Sequence, residues 1–292
     1  MSESETVDHA ETFFGDKLYQ RRAREALPLL VRQAKAQKTI YYAELAEELD
    51  MPNPRNLNYV LGSVGQTLIE LGKEQGKEIP PLTCIVVNQT DGLPGEGVGS
   101  FIEKGKYKEL TKRQRRAVVD AQLGRIFAYP EWDAVLRGYS MEPATLNVAD
   151  LVRKAAEMGR GGGESDEHKR FKEYIANHPD IVGLPPTMTQ VELEYRLPSG
   201  DEVDILFRRG DEWVGVEVKA HLSGDEDLVR GMFQCVKYQA VLEAYLLSIE
   251  IEGNVRTVLV IERPLPVGLI ALRNTLRVEV IQAKAEDPSE DR

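Results

Sequence analysis

Two carboxylates and a lysine stand out in the C-terminal half of the chain, because each is set in an apolar, β-branched run. Asp204 lies between Val203 and Ile205, and Glu217-Val218-Lys219 closes the run from Trp213 to Lys219. An ionised side chain in such a run carries a desolvation cost that something must balance. In an extended strand successive side chains point to opposite faces, so Val214, Val216 and Val218 share one face and Gly215, Glu217 and Lys219 the other. A divalent cation would balance Asp204 and Glu217. With the carbonyl of Val218 they make the partial oxygen shell that Mg2+ prefers, leaving positions for water and a phosphate oxygen. Lys219 would then orient or deprotonate the attacking water and offset charge on a pentacovalent phosphate. The chemistry implied is metal-dependent phosphodiester hydrolysis.

The elements that must position these groups can be read on either side of them. A helix over Glu164 to Asn177 comes first, with Phe171, Tyr174 and Ile175 sharing a face with Glu167. Runs from Met188 to Leu197, Glu202 to Phe207 and Trp213 to Lys219 follow, rich in valine, isoleucine or aromatics. The turns Pro198-Ser199-Gly200-Asp201 and Arg209-Gly210-Asp211 separate them, which predicts a three-strand meander. Asp204 thereby falls in the hairpin arm adjoining Glu217. A long helix from about Gly224 to Leu247 is announced by a capping box of Ser223 and Glu226. A strand from Val255 to Ile261, a short helix from Val267 to Leu276 and a strand from Arg277 to Gln282 complete an α/β unit.

Asp204, then Glu217-Val218-Lys219 after a strand-sized interval, preceded by a glutamate-bearing helix, resembles the PD-(D/E)xK nuclease superfamily. The resemblance covers roughly residues 164 to 282, with Val203 where many members have proline. It implies a restriction-endonuclease-like, four-stranded mixed sheet flanked by helices and Mg2+-dependent hydrolysis of nucleic-acid phosphodiesters, with Mn2+ able to substitute. It also implies that Asp204 and Glu217 are metal ligands, joined by Val218 and by Glu167 from the first helix, and that Lys219 is the catalytic lysine. Glu164, one turn earlier, is an alternative to Glu167. Many members add a Gln-xxx-Tyr motif on the next helix, matched here by Gln234 to Tyr238. Helical spacing puts Arg230, Gln234, Lys237 and Tyr238 on one face, suited to holding a phosphate or the lysine.

The N-terminal half reads differently. Asp16 to Gln37 reads as a helix with Pro28 as the position of an expected kink, and Tyr42 to Leu49 as a second, short one. A third is capped by Asn53 and Pro54, with Leu57, Val60, Leu61, Val64, Leu68 and Leu71 as one buried stripe; Arg55, Asn56 and Asn58 lie on its other face. The β-branched run Leu82 to Asn88, the Asp91-Gly92 turn and a glycine-rich arm to Gly97 then predict a two-stranded wing. Thr39 to Gly97, with Tyr42-Ala43-Glu44-Leu45-Ala46, Asn53-Pro54-Arg55, Ile79-Pro80 and Val86-Val87-Asn88, resembles the winged-helix DNA-binding domain of the O6-alkylguanine-DNA alkyltransferase and alkyltransferase-like families. That resemblance implies DNA contact through Arg55, Asn56 and Asn58. The chain departs from it at the chemistry, reading Pro80-Pro81-Leu82-Thr83-Cys84-Ile85 in place of Pro-Cys-His-Arg, so alkyl transfer is not expected. A small helical domain for protein contacts is the alternative.

The domain plan expected from these patterns is a disordered tail (1 to 15), a winged-helix-like domain (16 to 108), a helical bridge ending in the glycines 161 to 163 (109 to 163), the nuclease domain (164 to 284) and a disordered tail (285 to 292). A net charge of -11 over 292 residues excludes a protein that coats nucleic acid non-specifically. Contact with DNA must then be local, and single basic clusters such as Lys104 to Arg116 read first as solvated faces. Cys84 and Cys235 are too far apart in sequence, and each too isolated, to suggest a disulfide framework or zinc knuckle, and His9, His168, His178 and His221 lack zinc-ligand spacing. No apolar run reaches membrane-span length and no signal-peptide pattern opens the chain, so a cytoplasmic protein is expected. One site per chain suits a homodimer for double-strand cuts. RNA as the substrate, and a non-catalytic nucleic-acid-binding or regulatory protein retaining the fold, stand as alternatives to a DNA endonuclease.

Overall fold

A computed structural model describes residues 10–102, 106–157, 165–187 and 189–285. The chain divides into two compact units, Met1–Leu146 and Asn147–Arg292. The expected glycine boundary at 161 to 163 lies outside the described residues, and the division falls before it.

In the first unit, helices α1 (Leu18–Lys35), α2 (Tyr42–Glu48) and α3 (Leu57–Gln75) form in the expected order. The stripe Leu57, Val60, Leu61, Val64, Leu68 and Leu71 of α3 is buried, packed with Ala23, Leu27, Leu30 and Val31 of α1. Asn53 caps not α3 itself but a 3-10 turn before it, Pro54–Asn56, where its Oδ1 accepts from Arg55 N at 3.0 Å. Gly76 then ends α3 in the left-handed region, φ 62°. Arg32 and Glu48 make a two-point ion pair, 2.5 and 2.9 Å, that ties α1 to the end of α2.

Three expectations for this unit change. The wing does not form among the described residues. Leu82–Ile85 is a 3-10 turn, and strand β2 (Val86–Val87) pairs in parallel with β1 (Ile40–Tyr41). The reason lies in burial: Leu82, Thr83, Cys84 and Ile85 are buried in succession, so the run serves a core on all sides and not one face of a ribbon. The Asp91-Gly92 turn does form, closed by Asn88 N to Leu93 O at 2.9 Å, but it folds a loop. The expected bridge is divided, and its part up to Leu146 belongs to this unit: helices α4 (Lys112–Ala128) and α5 (Trp132–Gly138) bury Val119, Ile126, Trp132, Val135 and Leu136 in the same core. Residues 10 to 15 are not a tail either, since Phe13 is buried and its N–H donates to Thr67 Oγ1 at 3.0 Å.

The second unit is a mixed α/β layer structure. It begins with α6 (Val148–Glu157) and α7 (Asp166–Asn177), followed by β3 (Gln190–Arg196), β4 (Glu202–Arg209) and β5 (Glu212–Lys219) as an antiparallel meander. Helix α8 (Asp225–Ser248) crosses to β6 (Asn254–Ile261), parallel to β5, and α9 (Val267–Leu276) crosses to β7 (Glu279–Gln282), parallel to β6. The sheet therefore has five strands in the order β3-β4-β5-β6-β7, one more than the resemblance implies. One face packs Ile205, Phe207, Val216 and Val218 under Phe171 and Ile175 of α7. The other packs Leu206 and Trp213 under Tyr238, Leu242 and Leu246 of α8. Gly200 (φ 85°) and Gly210 (φ 61°) supply the left-handed residues of the two meander turns. The start of α8 is shifted by one residue: Ser223 N donates to Ala220 O in a preceding turn, and Gly224 caps the helix, donating to Asp227 Oδ2 at 3.3 Å. No helix among the described residues is long and apolar enough to cross a membrane.

Candidate active site

Strand alternation in β5 sends Val214, Val216 and Val218 into the core under α7, leaving Glu217 and Lys219 on the face covered by α8. Lys219 Nζ meets Glu217 Oε1 at 2.5 Å, with Glu217 only 3 % exposed. Helix α8 can pass so close because it presents Gly231 here. A Cβ at that position would stand 2.8 Å from Leu259 Cδ1 and 3.2 Å from Lys219 Cε.

Asp204 reaches this pair through an interruption of the sheet. Val203 and Ile205 should share a face, yet Val203 packs with Leu206 and Leu242 while Ile205 packs with Phe171 and Val216. The strand changes face at Asp204, and the β4–β5 ladder ends beside it, its last pair being Ile205 with Val216. The partner strand breaks at the same level: Leu193 pairs with Ile205 and Tyr195 with Val203, and between them Glu194 takes φ 53°, a left-handed conformation that non-glycine residues rarely adopt. Freed from the regular alternation, the Asp204 carboxylate accepts from Val218 N at 2.8 Å, and His168 Nε2 of α7 lies 3.8 Å from its other oxygen.

The two carboxylates are driven apart electrostatically, as close like charges are. Burial pushes Glu217 up to about 7, Asp204 adding to the shift and Lys219 opposing it. Burial acts on Asp204 in the same sense, but the neighbouring His168 imidazole, the hydrogen bond from the Val218 N–H and the charge of Lys219 outweigh it and hold Asp204 below the ordinary carboxylate range. Burial also works against the charge of Lys219, and Glu217 overcomes it, holding the ammonium above its usual value.

Helix α8 adds the Gln-xxx-Tyr pair. Tyr238 OH donates to Glu202 O at 2.8 Å and accepts from Gln234 Nε2 at 3.0 Å, while Gln234 Oε1 is buried with no hydrogen-bond partner. Of the other two residues expected on that face, Arg230 pairs at 3.0 Å with Asp227, an acid near enough to Lys219 to act on its charge, and Lys237 pairs with Asp201 at 2.6 Å. Glu167 is exposed and does not join the carboxylates, and Glu164 lies outside the described residues. The inner face of α7 is one position on, at His168, Phe171, Lys172 and Ile175, so the helix offers an imidazole where a carboxylate was expected. The spacing 168, 171, 172, 175 could have revealed this, but a histidine and a lysine did not read as an inward face. Arg55 and Asn56 are exposed on the turn before α3, and Asn58 is half-buried in the first turn of α3.

Among the described residues no group of three or more His, Cys, Asp or Glu has the arrangement of a metal site. Mg2+ does not require one, since it commonly binds through one or two carboxylates and keeps several waters. A buried Glu217 and a half-buried Asp204, with Lys219 as the neighbouring ammonium and an unpartnered buried amide oxygen on Gln234, fit such an ion. Comparison with protein-family models, with curated proteins and with solved structures found no match.

Proposed function

We propose that the second unit is a metal-dependent phosphodiesterase acting on nucleic acid, built on a restriction-endonuclease-like sheet, with DNA as its substrate. The observation that carries this reading is the face change at Asp204, which turns a mid-strand carboxylate toward the backbone of Val218, between Glu217 and Lys219. A structural ion pair would need only Glu217 and Lys219; a second, half-buried and ionised carboxylate set beside them is the arrangement a divalent cation would use.

In this reading Asp204, Glu217 and the Val218 carbonyl hold Mg2+ or Mn2+, and His168 stands beside Asp204 in place of Glu167. The bound ion would supply a Lewis acid for the phosphoryl oxygen and a water of lowered pKa. Lys219 carries the positive charge that offsets the transition state, and its pairing with Glu217 keeps it protonated. Gln234 Oε1 supplies a buried acceptor for a water or for Lys219, with Tyr238 fixing the amide from its other end. The first unit would hold DNA locally through Arg55 and Asn56.

Incubating the full chain with plasmid, single-stranded DNA and RNA, each with Mg2+ or EDTA, tests the reading. Cleavage of DNA that EDTA abolishes is expected. Cleavage of RNA alone would move the substrate assignment to RNA, and no cleavage of any of the three would refute the enzyme.

A further inference from the structure

Two residues beside the site are left without a role by the chemistry above. Lys172, one turn beyond His168 on α7, is 5 % exposed, and a buried ammonium is tolerated only where a carboxylate meets it. Glu194 Oε1 does so at 2.8 Å. Glu194 is also the one residue of the edge strand β3 with a left-handed backbone, and it stands opposite Asp204 at the level where both strands change face.

A solvated edge strand has no reason of its own to hold a non-glycine residue in that conformation; an alternating strand would keep Leu193 and Tyr195 on one face. The buried ammonium supplies the reason. It holds the Glu194 carboxylate at α7 while the rest of the Glu194 side chain stays exposed, and with Glu194 turned, Tyr195 packs on the face of its partner Val203, whereas Leu193, paired with Ile205, remains exposed. Asp204 is the residue left between the two faces. The same helix carries His168 against Asp204, so one ion pair fixes both the strand break and the helix that flanks it.

We propose that Lys172 and Glu194 form a positioning pair that holds the paired strand break and thereby aims the Asp204 carboxylate at Val218. The proposal rests on the reading of Asp204 as a metal-binding carboxylate only for its consequence in catalysis; the positioning itself is read without metal.

The Val218 amide reports it, because its N–H donates to Asp204 where the β4–β5 ladder has ended. Residue-resolved hydrogen exchange on the full chain should show the Val218 amide exchanging about tenfold faster in Glu194→Gln and in Lys172→Met. The amides of Val216 and Val260, in the same sheet, should stay within about twofold of wild type. The exchanged pair, Lys172→Glu with Glu194→Lys, should recover most of the Val218 protection. Unchanged Val218 exchange in Glu194→Gln would overturn the proposal, and so would equal acceleration of all three amides, which is the signature of a pair that only adds stability. A Mn2+ titration of the wild type separates the two readings: absence of binding, with Val218 accelerated as predicted, would refute the metal site and support the pair.

Discussion

Replacing Glu217 by glutamine should remove most of the pH dependence of stability that the metal-free second unit shows between about pH 5 and 8. Burial raises the Glu217 carboxyl from its ordinary value of 4.5 to about 7. Because the folded-state value is the higher one, the protonated carboxyl contributes stability that is fully present below about pH 4.5 and is lost as pH rises through about 7. A shift of that size, at 1.36 kcal/mol per unit, amounts to about 3 kcal/mol. Neither neighbour titrates in the same window: Asp204 is held below its ordinary value and Lys219 above its own. Trp213 lies in the second unit and Trp132 in the first, so urea unfolding followed by fluorescence in a Trp132→Phe background reports the relevant unit. In EDTA the wild type should lose about 3 kcal/mol more than Glu217→Gln between pH 5 and 8. With saturating Mg2+ the wild-type loss should shrink, because the cation takes the place of the proton. Parallel pH profiles for the two proteins in EDTA would refute the account of Glu217.

The close passage of α8 makes Gly231→Ala a test of packing over the site: overpacking of about 1–3 kcal/mol against Leu259 and Lys219 should exceed the helix-propensity gain of about 0.5–1 kcal/mol. The urea midpoint should therefore fall, and a rise would contradict the geometry. Phe13→Ala should destabilise the first unit by about 3–5 kcal/mol, read from Trp132 fluorescence, because Phe13 belongs to its core. If Arg55 contacts a DNA phosphate, Arg55→Ala in the full chain should reduce the slope of log K against log salt by about 0.9, measured by fluorescence anisotropy.

Most strands and helices of the second unit were legible from the period of their apolar residues and the turns between them, β5 most clearly, and Asp204, Glu217 and Lys219 were legible as charges inside apolar runs. His168 was not. Tyr174 invited a helix phase one position off, although it is half-buried beside His178 with the ring centroids 4.2 Å apart, and the true inward face holds a histidine and a lysine. Glu194 gave no signal either, because a left-handed residue is announced in sequence by glycine or asparagine and not by glutamate. Arg230 and Lys237 share the helical phase of Gln234, but acids near their own helix, Asp227 and Asp201, hold them. In the first unit the α3 stripe was legible from its spacing, whereas the wing failed because a β-branched run buried on all sides looks the same in sequence as a strand.

The central claim, that Lys219 serves a reacting phosphodiester and not merely its ion pair with Glu217, is tested most directly by single-turnover cleavage of plasmid in Mg2+ by wild type and Lys219→Ala, each verified as folded by circular dichroism. Losing one preorganised charge at the transition state should lower the rate by about 10² to 10³. Cleavage by Lys219→Ala at the wild-type rate would contradict the account.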